Sequence, residues 1–174
     1  MGRDKAFLEI GGQTLLARQI QIVRETGATE VFISGRTDVD YSAFGCRVLT
    51  DEFPDAGPLA GMASALEAMT SPRLLVLAVD LPAMSADYLR MLMKVSLENR
   101  GAVPRVNGNL EPLAAIYPKT ALPLAAALLA EKNFAVKIFA ARCELAGLVS
   151  FADWPEMAAG IFLNWNAPAD RPAA

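Results

Sequence analysis

Leu74-Leu75-Val76-Leu77-Ala78-Val79-Asp80-Leu81-Pro82 decides how this chain folds. A short, continuous apolar run bounded by Pro72 and Pro82 reads as a strand buried on both faces. Such strands belong to parallel sheets sandwiched between helices, so the fold class is α/β. Ligands of these sheets bind outside the carboxyl ends of the strands, and Asp80 stands at that end. A carboxylate there can hold a hard cation such as Mg²⁺ beside a phosphate. It can equally open the following turn, as Asp before Leu-Pro commonly does. The segment alone leaves both readings open.

The surrounding pattern supports the sheet. Gln13–Thr26 has the helical period, with Leu16, Ile20 and Val23 on one face and Gly27 as the stop. Val31-Phe32-Ile33 and Cys46–Leu49 read as strands, with 37–44 as a connector of about one helical turn. A loop over 52–58 runs into a helix from Leu59 to Met69, whose stripe is Leu59, Met62, Leu66 and Met69. The Asp80 strand follows directly, and Ser85–Glu98 is the next helix. This alternation of strand and helix predicts a layered α/β sandwich.

Beyond Gly101, the strands Gly101-Ala102-Val103 and Leu113–Tyr117 are joined by a turn at Asn107-Gly108, a hairpin signal. Pro104 and Pro112 predict irregular pairing or an edge position. Helices follow over 119–131 and Val136–Cys143, then short strands at Leu148–Phe151 and Ile161–Asn164. Residues 1–170 read as one domain and 171–174 as a disordered tail.

Composition narrows the chemistry. Of 174 residues, 53% are hydrophobic, enough to fill one core. A net charge of −3 argues against a general nucleic-acid binder. The sequence has no histidine, which removes imidazole bases, His–metal sites and His-based triads from it. Carboxylates, Lys, Arg and bound metal remain. Cys46 and Cys143 match no metal or redox spacing and predict reduced thiols. No apolar run approaches the ~20 residues of a membrane span, which with the absence of a signal peptide points to the cytoplasm.

Several clusters could reach the carboxyl end of the sheet. Lys5 could neutralise phosphate charge, or be a solvated lysine near the chain start. Asp51 ends one strand as Asp80 ends another, so the two could share a metal or bind a ribose; Asp51 can also be a plain turn residue. Gly57-Pro58-Leu59-Ala60-Gly61 opens a helix, where glycines admit a ligand to the backbone and N–H groups attract anions. The bland alternative is Pro at the first helical turn with Gly allowing close packing. Asn164 and Asn166, two apart on an extended segment, face one side; they can offer polar contacts to a ligand or cap a turn.

Taken together, these pieces resemble the molybdenum cofactor guanylyltransferase family (molybdopterin-guanine dinucleotide biosynthesis protein A). The residues that carry the resemblance are Met1-Gly2-Arg3-Asp4-Lys5, Asp51 ahead of Gly57-Pro58-Leu59-Ala60-Gly61, and Val79-Asp80-Leu81-Pro82. Glu111-Pro112-Leu113 before Ile116-Tyr117, and Phe162-Leu163-Asn164-Trp165-Asn166-Ala167-Pro168-Ala169-Asp170, complete it. The resemblance implies a three-layer, Rossmann-like nucleotidyltransferase fold of the nucleotide-diphospho-sugar transferase type with a mostly parallel sheet. It implies Mg²⁺-dependent transfer of GMP from GTP to molybdopterin. Asp80 resembles the family's metal-binding aspartate and Lys5 its phosphate-binding lysine, the two catalytic residues. Asp51, Gly57, Pro58, Leu59, Ala60 and Gly61 resemble its nucleotide-binding segments, and Asn164 and Asn166 its molybdopterin-side residues. Molybdoenzymes or other cofactor-synthesis proteins are implied as partners; nucleic acid and membrane are not. A molybdopterin cytidylyltransferase, a sugar-phosphate nucleotidylyltransferase and a non-catalytic molybdopterin carrier are the alternatives.

One departure matters. The family signature places a first strand and Leu-Ala-Gly-Gly-x-Ser-x-Arg ahead of Met-Gly-x-Asp-Lys, whereas this sequence starts at the Met. The expectation is a gap in the middle of the sheet, with unpaired backbone groups, and weak or no activity for the polypeptide as it stands.

Overall fold

A computed structural model describes residues 5–50, 56–97, 99–155 and 160–164. Lys5–Phe7 forms a single 3₁₀ turn. The hairpin β1 (Glu9–Ile10) and β2 (Gln13–Thr14) then turns at Gly11-Gly12, both left-handed at φ 58° and 81°. Helix α1 (Leu15–Glu25) follows at once, because the Thr14 hydroxyl accepts from the Ala17 N–H at its start. Gly27, at φ 85°, ends it, its N–H donating to the Arg24 carbonyl.

Next come β3 (Phe32–Gly35), β4 (Arg47–Thr50), α2 (Pro58–Ala68), β5 (Arg73–Leu77) and α3 (Ala86–Val95). Ser85 caps α3 by accepting from the Tyr88 N–H. The second half holds β6 (Gly101–Val106), β7 (Asn109–Leu110), β8 (Ala114–Pro118), α4 (Leu122–Ala130), α5 (Val136–Leu145) and β9 (Val149–Trp154).

Among the described residues, β3 and β4 pair in parallel as a two-stranded unit. A five-stranded sheet runs β5-β8-β6-β7, with β9 on the other edge of β6. Strand β8 is antiparallel to both β5 and β6, while β9 is parallel to β6. Strands β5, β6 and β9 therefore point the same way, and β8 and the short β7 run against them. Alternation along β5 sorts the layers. Leu74 and Val76 pack with α2, α4 and α5 around Leu66, Tyr117, Leu128 and Phe139. Leu75 and Leu77 face Ile22, Leu81, Met84, Tyr88 and Leu89, supplied by α1, α3 and the turn before α3.

Several expectations shift. The run 74–82 is strand only to Leu77, and every residue of β5 is half-buried, not sealed on both faces. The reason is an apolar cavity of about 750 Å³ between β3 and β5, walled by Phe32, Ile33 and Ser34 on one side and Leu74–Leu77 on the other. Among the described residues this space separates the β3–β4 pair from the five-stranded sheet. On α1 the buried residues are Leu15, Gln19, Ile20 and Ile22, while Leu16 and Val23 border the cavity and stay half-buried. Pro104 sits in an interior strand, since β6 lies between β8 and β9. It is tolerated because β6 meets β8 at Ala102–Ile116 and then turns to β7, the Pro104 carbonyl accepting from Glu111 N–H. Residues 160–162 form a 3₁₀ turn in place of the expected strand. The expected tail at 171–174 lies outside the described residues.

The crossing of β6 and β8 depends on Gly101. A Cβ there would lie 2.0 Å from the Ile116 carbonyl oxygen, which is backbone and cannot swing away. Gly101→Ala is expected to destabilise the fold by about 3 kcal/mol. Gly160→Ala, with no atom within 4 Å of its new methyl, is the neutral control. Urea unfolding of the two variants checks this; equal midpoints would refute the close approach.

Candidate active site

Strand β5 ends at Leu77, and the Ala78 N–H donates to the Leu113 carbonyl at 2.7 Å. The chain then turns, leaving Asp80 at the carboxyl end of the strand. The Lys5 ammonium, 75 residues away in sequence, lies 3.4 Å from Asp80 Oδ2. The side chains are 42% and 21% exposed respectively. A pair this accessible contributes little to stability; its interest is its position. Asp80 closes one end of the cavity between β3 and β5.

The glycine loop meets the same cavity. Gly57 precedes α2 at φ 62°, a backbone angle that favours glycine, and Pro58 takes the first helical turn. Gly57, Pro58 and Gly61 line the cavity together with Ser34 and Asp80. Leu59 and Ala60 turn inward, at 0% and 1% exposure, and belong to the core with Leu66 and Met69. This helix start therefore does not present the side chains of Leu59 or Ala60 to a ligand, and the Ala60 N–H donates to the Gly57 carbonyl at 3.2 Å.

Asn164 is exposed, two residues after Phe162. Phe162 is anchored edge-on to Tyr88, centroids 5.3 Å apart, in the cluster that contains Leu81 and Met84. Asn164 thereby follows a turn fastened beside the Asp80 loop. Asp51 and Asn166 lie outside the described residues. Asp80 and the two glycines line one cavity, and Lys5 meets it through its contact with Asp80.

Two contributors were not singled out in the sequence. Gln19, 4% exposed on α1, donates from Nε2 to the Leu81 carbonyl at 2.7 Å. Arg18 donates from Nε to the Pro82 carbonyl at 3.1 Å. A polar residue between Leu15 and Ile22 at core spacing was the available signal. Gln19 also has a buried Oε1 with no hydrogen-bond partner, and the residue borders the cavity.

Glu111, ahead of β8, is half-buried, and burial raises its carboxyl above the usual range, opposed by Lys137. Burial, with Glu111 as a second cause, also raises the Tyr88 phenol. A carboxyl whose folded value exceeds its unfolded one favours the folded state while protonated. That contribution is complete below the unfolded value and is lost as pH rises through the folded one. Glu111→Gln is expected to leave the thermal midpoint unchanged near pH 4 and raise it by about 2 °C at pH 7. Melting curves at both pH values check it; no gain at pH 7 would refute it. Cys46 and Cys143 are free thiols, and burial pushes Cys143 up to about 12.

Asp80, at the carboxyl end of the edge strand β5, shares a cavity with a glycine-opened helix in a layered α/β fold, a class that solved structures share. A molybdopterin-guanine dinucleotide biosynthesis protein A from Archaeoglobus fulgidus superposes with TM-score 0.71 at 18% identity, over 97% of this chain and 87% of that one. A 2-C-methyl-D-erythritol 4-phosphate cytidylyltransferase from Thermus thermophilus gives TM-score 0.75 at 21% identity, over 95% and 89%. Sequence comparison narrows the class. The family model described as a MobA-like NTP transferase domain matches residues 1–145. A probable molybdenum cofactor guanylyltransferase from Opitutus terrae is 38% identical over 98% of this chain and 86% of its own length. The chain belongs to the MobA-like NTP transferase family, and its role is that of a MobA-like nucleotidyltransferase.

Proposed function

We propose that this protein transfers GMP from GTP to molybdopterin, forming the guanine dinucleotide cofactor and pyrophosphate. The observation that carries the reading is the meeting of Lys5 and Asp80 at the mouth of a cavity bordered by Gly57 and Gly61. The guanine preference is supported by the name of the Opitutus relative.

The chemistry suits this inventory. A terminal phosphate oxygen of molybdopterin attacks the α-phosphorus of GTP, a P–O bond forms there, and the bond to the β-phosphate breaks in line. The attacking oxygen is already anionic near neutral pH, so no general base is needed, and a sequence without histidine suffices. Positioning and charge neutralisation then do the catalysis. Lys5, whose ammonium is partly exposed, can turn to phosphate oxygens while staying near Asp80. The Gly57 and Leu59 N–H groups at the start of α2 can donate to the anionic ligand, Gly57 admitting it closely. Asn164 and Asn166 are assigned to the molybdopterin side, and Asp51 to the nucleotide.

The residues fit a magnesium ion. Mg²⁺ typically takes one or two carboxylates and completes its shell with water and substrate phosphate. Asp80 is a half-buried carboxylate facing the proposed triphosphate site, and no group of three ligating side chains occurs among the described residues. When bound there, Mg²⁺ would neutralise charge on the triphosphate.

Among the described residues no helix is long and apolar enough to cross a membrane, and we place the activity in the cytoplasm. Incubation of the protein with α-labelled GTP, CTP or UTP, Mg²⁺ and molybdopterin tests the reading. Label is expected in a dinucleotide product from GTP, with stoichiometric pyrophosphate. Faster turnover of CTP would make it a cytidylyltransferase; molybdopterin binding without turnover of any nucleotide would make it a carrier.

A further inference from the structure

We propose that Arg18 and Gln19 are positioning residues that set the Asp80 carboxylate against Lys5 and the nucleotide. This deepens the functional reading above and rests on it.

Asp80 sits in a turn, where neither sheet nor helix hydrogen bonds hold the main chain. Consecutive residues of α1 take the two carbonyls after it, that of Leu81, which also accepts from the Met84 N–H at 3.1 Å within the turn, and that of Pro82. Gln19 Nε2 reaches the first at 2.7 Å and Arg18 Nε the second at 3.1 Å, across 62 and 64 residues of sequence. The Gln19 contact is buried, away from competing water. The Arg18 contact carries charge on the donor, which strengthens it. Two adjacent anchors fix the direction of the turn as well as its place.

The same helix also fixes Lys5. The Leu15 N–H, at the start of α1, donates to the Leu8 carbonyl at 2.8 Å, and the Leu8 N–H donates to the Lys5 carbonyl at 3.1 Å. Leu15 is fully buried. One rigid element therefore references both charged groups, the lysine through its first turn and the aspartate through its second. A reacting phosphorus must be placed to within a fraction of an ångström, and separate loops would not hold two opposed groups so closely.

Gln19→Leu fills the space but removes the donor; Arg18→Ala removes the second anchor; Arg18→Lys retains a cationic N–H donor. For Gln19→Leu and Arg18→Ala, kcat is expected to fall about ten-fold, with KM for GTP within about two-fold of the parent. Binding of Mn²⁺ to the protein–GTP complex without acceptor, followed by electron paramagnetic resonance, is expected to weaken about five-fold. Arg18→Lys is expected to recover most of both. Unchanged kcat and Mn²⁺ affinity would overturn the proposal. So would a kcat loss that merely tracks the unfolded fraction in a melting curve, with Mn²⁺ affinity unaltered. The Arg18 variants, on the more exposed contact, keep the test decisive if Gln19→Leu does not fold. Asp80→Asn, run in parallel, separates the two ideas. If it loses turnover while Arg18 and Gln19 variants do not, the clamp alone fails; if it keeps turnover, the site reading falls and the clamp with it.

Discussion

Asp80→Asn is expected to lower nucleotidyl transfer by about 10²-fold to 10³-fold, with a thermal midpoint within about 2 °C of the parent. The substitution preserves shape and removes only the negative charge. Lys5 keeps access to water, being 42% exposed, so no buried unpaired cation is left behind. The loss should therefore appear in kcat and in the metal concentration required, not in folding. Lys5→Ala should cost about ten-fold to 10²-fold by removing the cation from the triphosphate. The double variant should fall well short of the product of the two losses, because both groups act on one triphosphate and on each other across 3.4 Å. Steady-state kinetics at several Mg²⁺ concentrations measures all three. If Asp80→Asn retained more than about half the parent rate at saturating metal, the acid would be a turn residue only.

That turn-residue reading was open in the sequence, and the structure shows why it could not be closed there. Asp80 does lie in a turn, and its carboxylate would be unremarkable without Lys5, which is 75 residues distant and joined to it only by the folded chain. Local signals served where the physics is local. The stripe Leu59, Met62, Leu66 and Met69 is buried as its spacing requires, and Asn107-Gly108 makes the hairpin turn with φ of 50° and 77°. Signals failed where a neighbour decides. Leu16 and Val23 belong to the apolar face of α1 yet border a cavity, while Gln19 is buried because a carbonyl from another loop awaits its N–H. Pro104 pointed to irregular pairing or an edge: the pairing is irregular, β6 leaving β8 after one pair, but β6 is interior, which nothing local shows. The turn at 160–162 followed the same rule: Ile161 and Phe162 are apolar for packing on Tyr88 and Leu77, not for pairing in a sheet.

The cavity itself yields the other large effect. A polypeptide that carries an apolar strand joined upstream of Met1, followed by the family's Leu-Ala-Gly-Gly-x-Ser-x-Arg stretch, is expected to melt about 10 °C higher or more. It is also expected to turn over GTP at least about ten-fold faster. Among the described residues β3 pairs with β4 alone and β5 with β8 alone, and the space between the two units is lined by their residues. Its ends are already tied. Glu30 accepts from the backbone and hydroxyl groups of both Thr70 and Ser71 at one end, and Arg18 and Gln19 grip Leu81 and Pro82 at the other. A strand matching the four residues of β3 and the five of β5 would pair with both edges and join the two units into one sheet. Alternate side chains would cover Leu16 and Ile20 on one side and Met62 and Ala65 on the other. The unpartnered Oε1 of Gln19 is an acceptor on that wall. Burying half-exposed Leu74–Leu77 in this way supplies the stability, since each apolar side chain taken from water contributes about 1.5 kcal/mol or more when fully covered. Turnover should rise because the glycine stretch would emerge at the carboxyl end of the strand, beside Asp80, with N–H groups for phosphate. An extended chain that melted and turned over GTP no differently from residues 1–174 would show that the space between β3 and β5 is not a strand site.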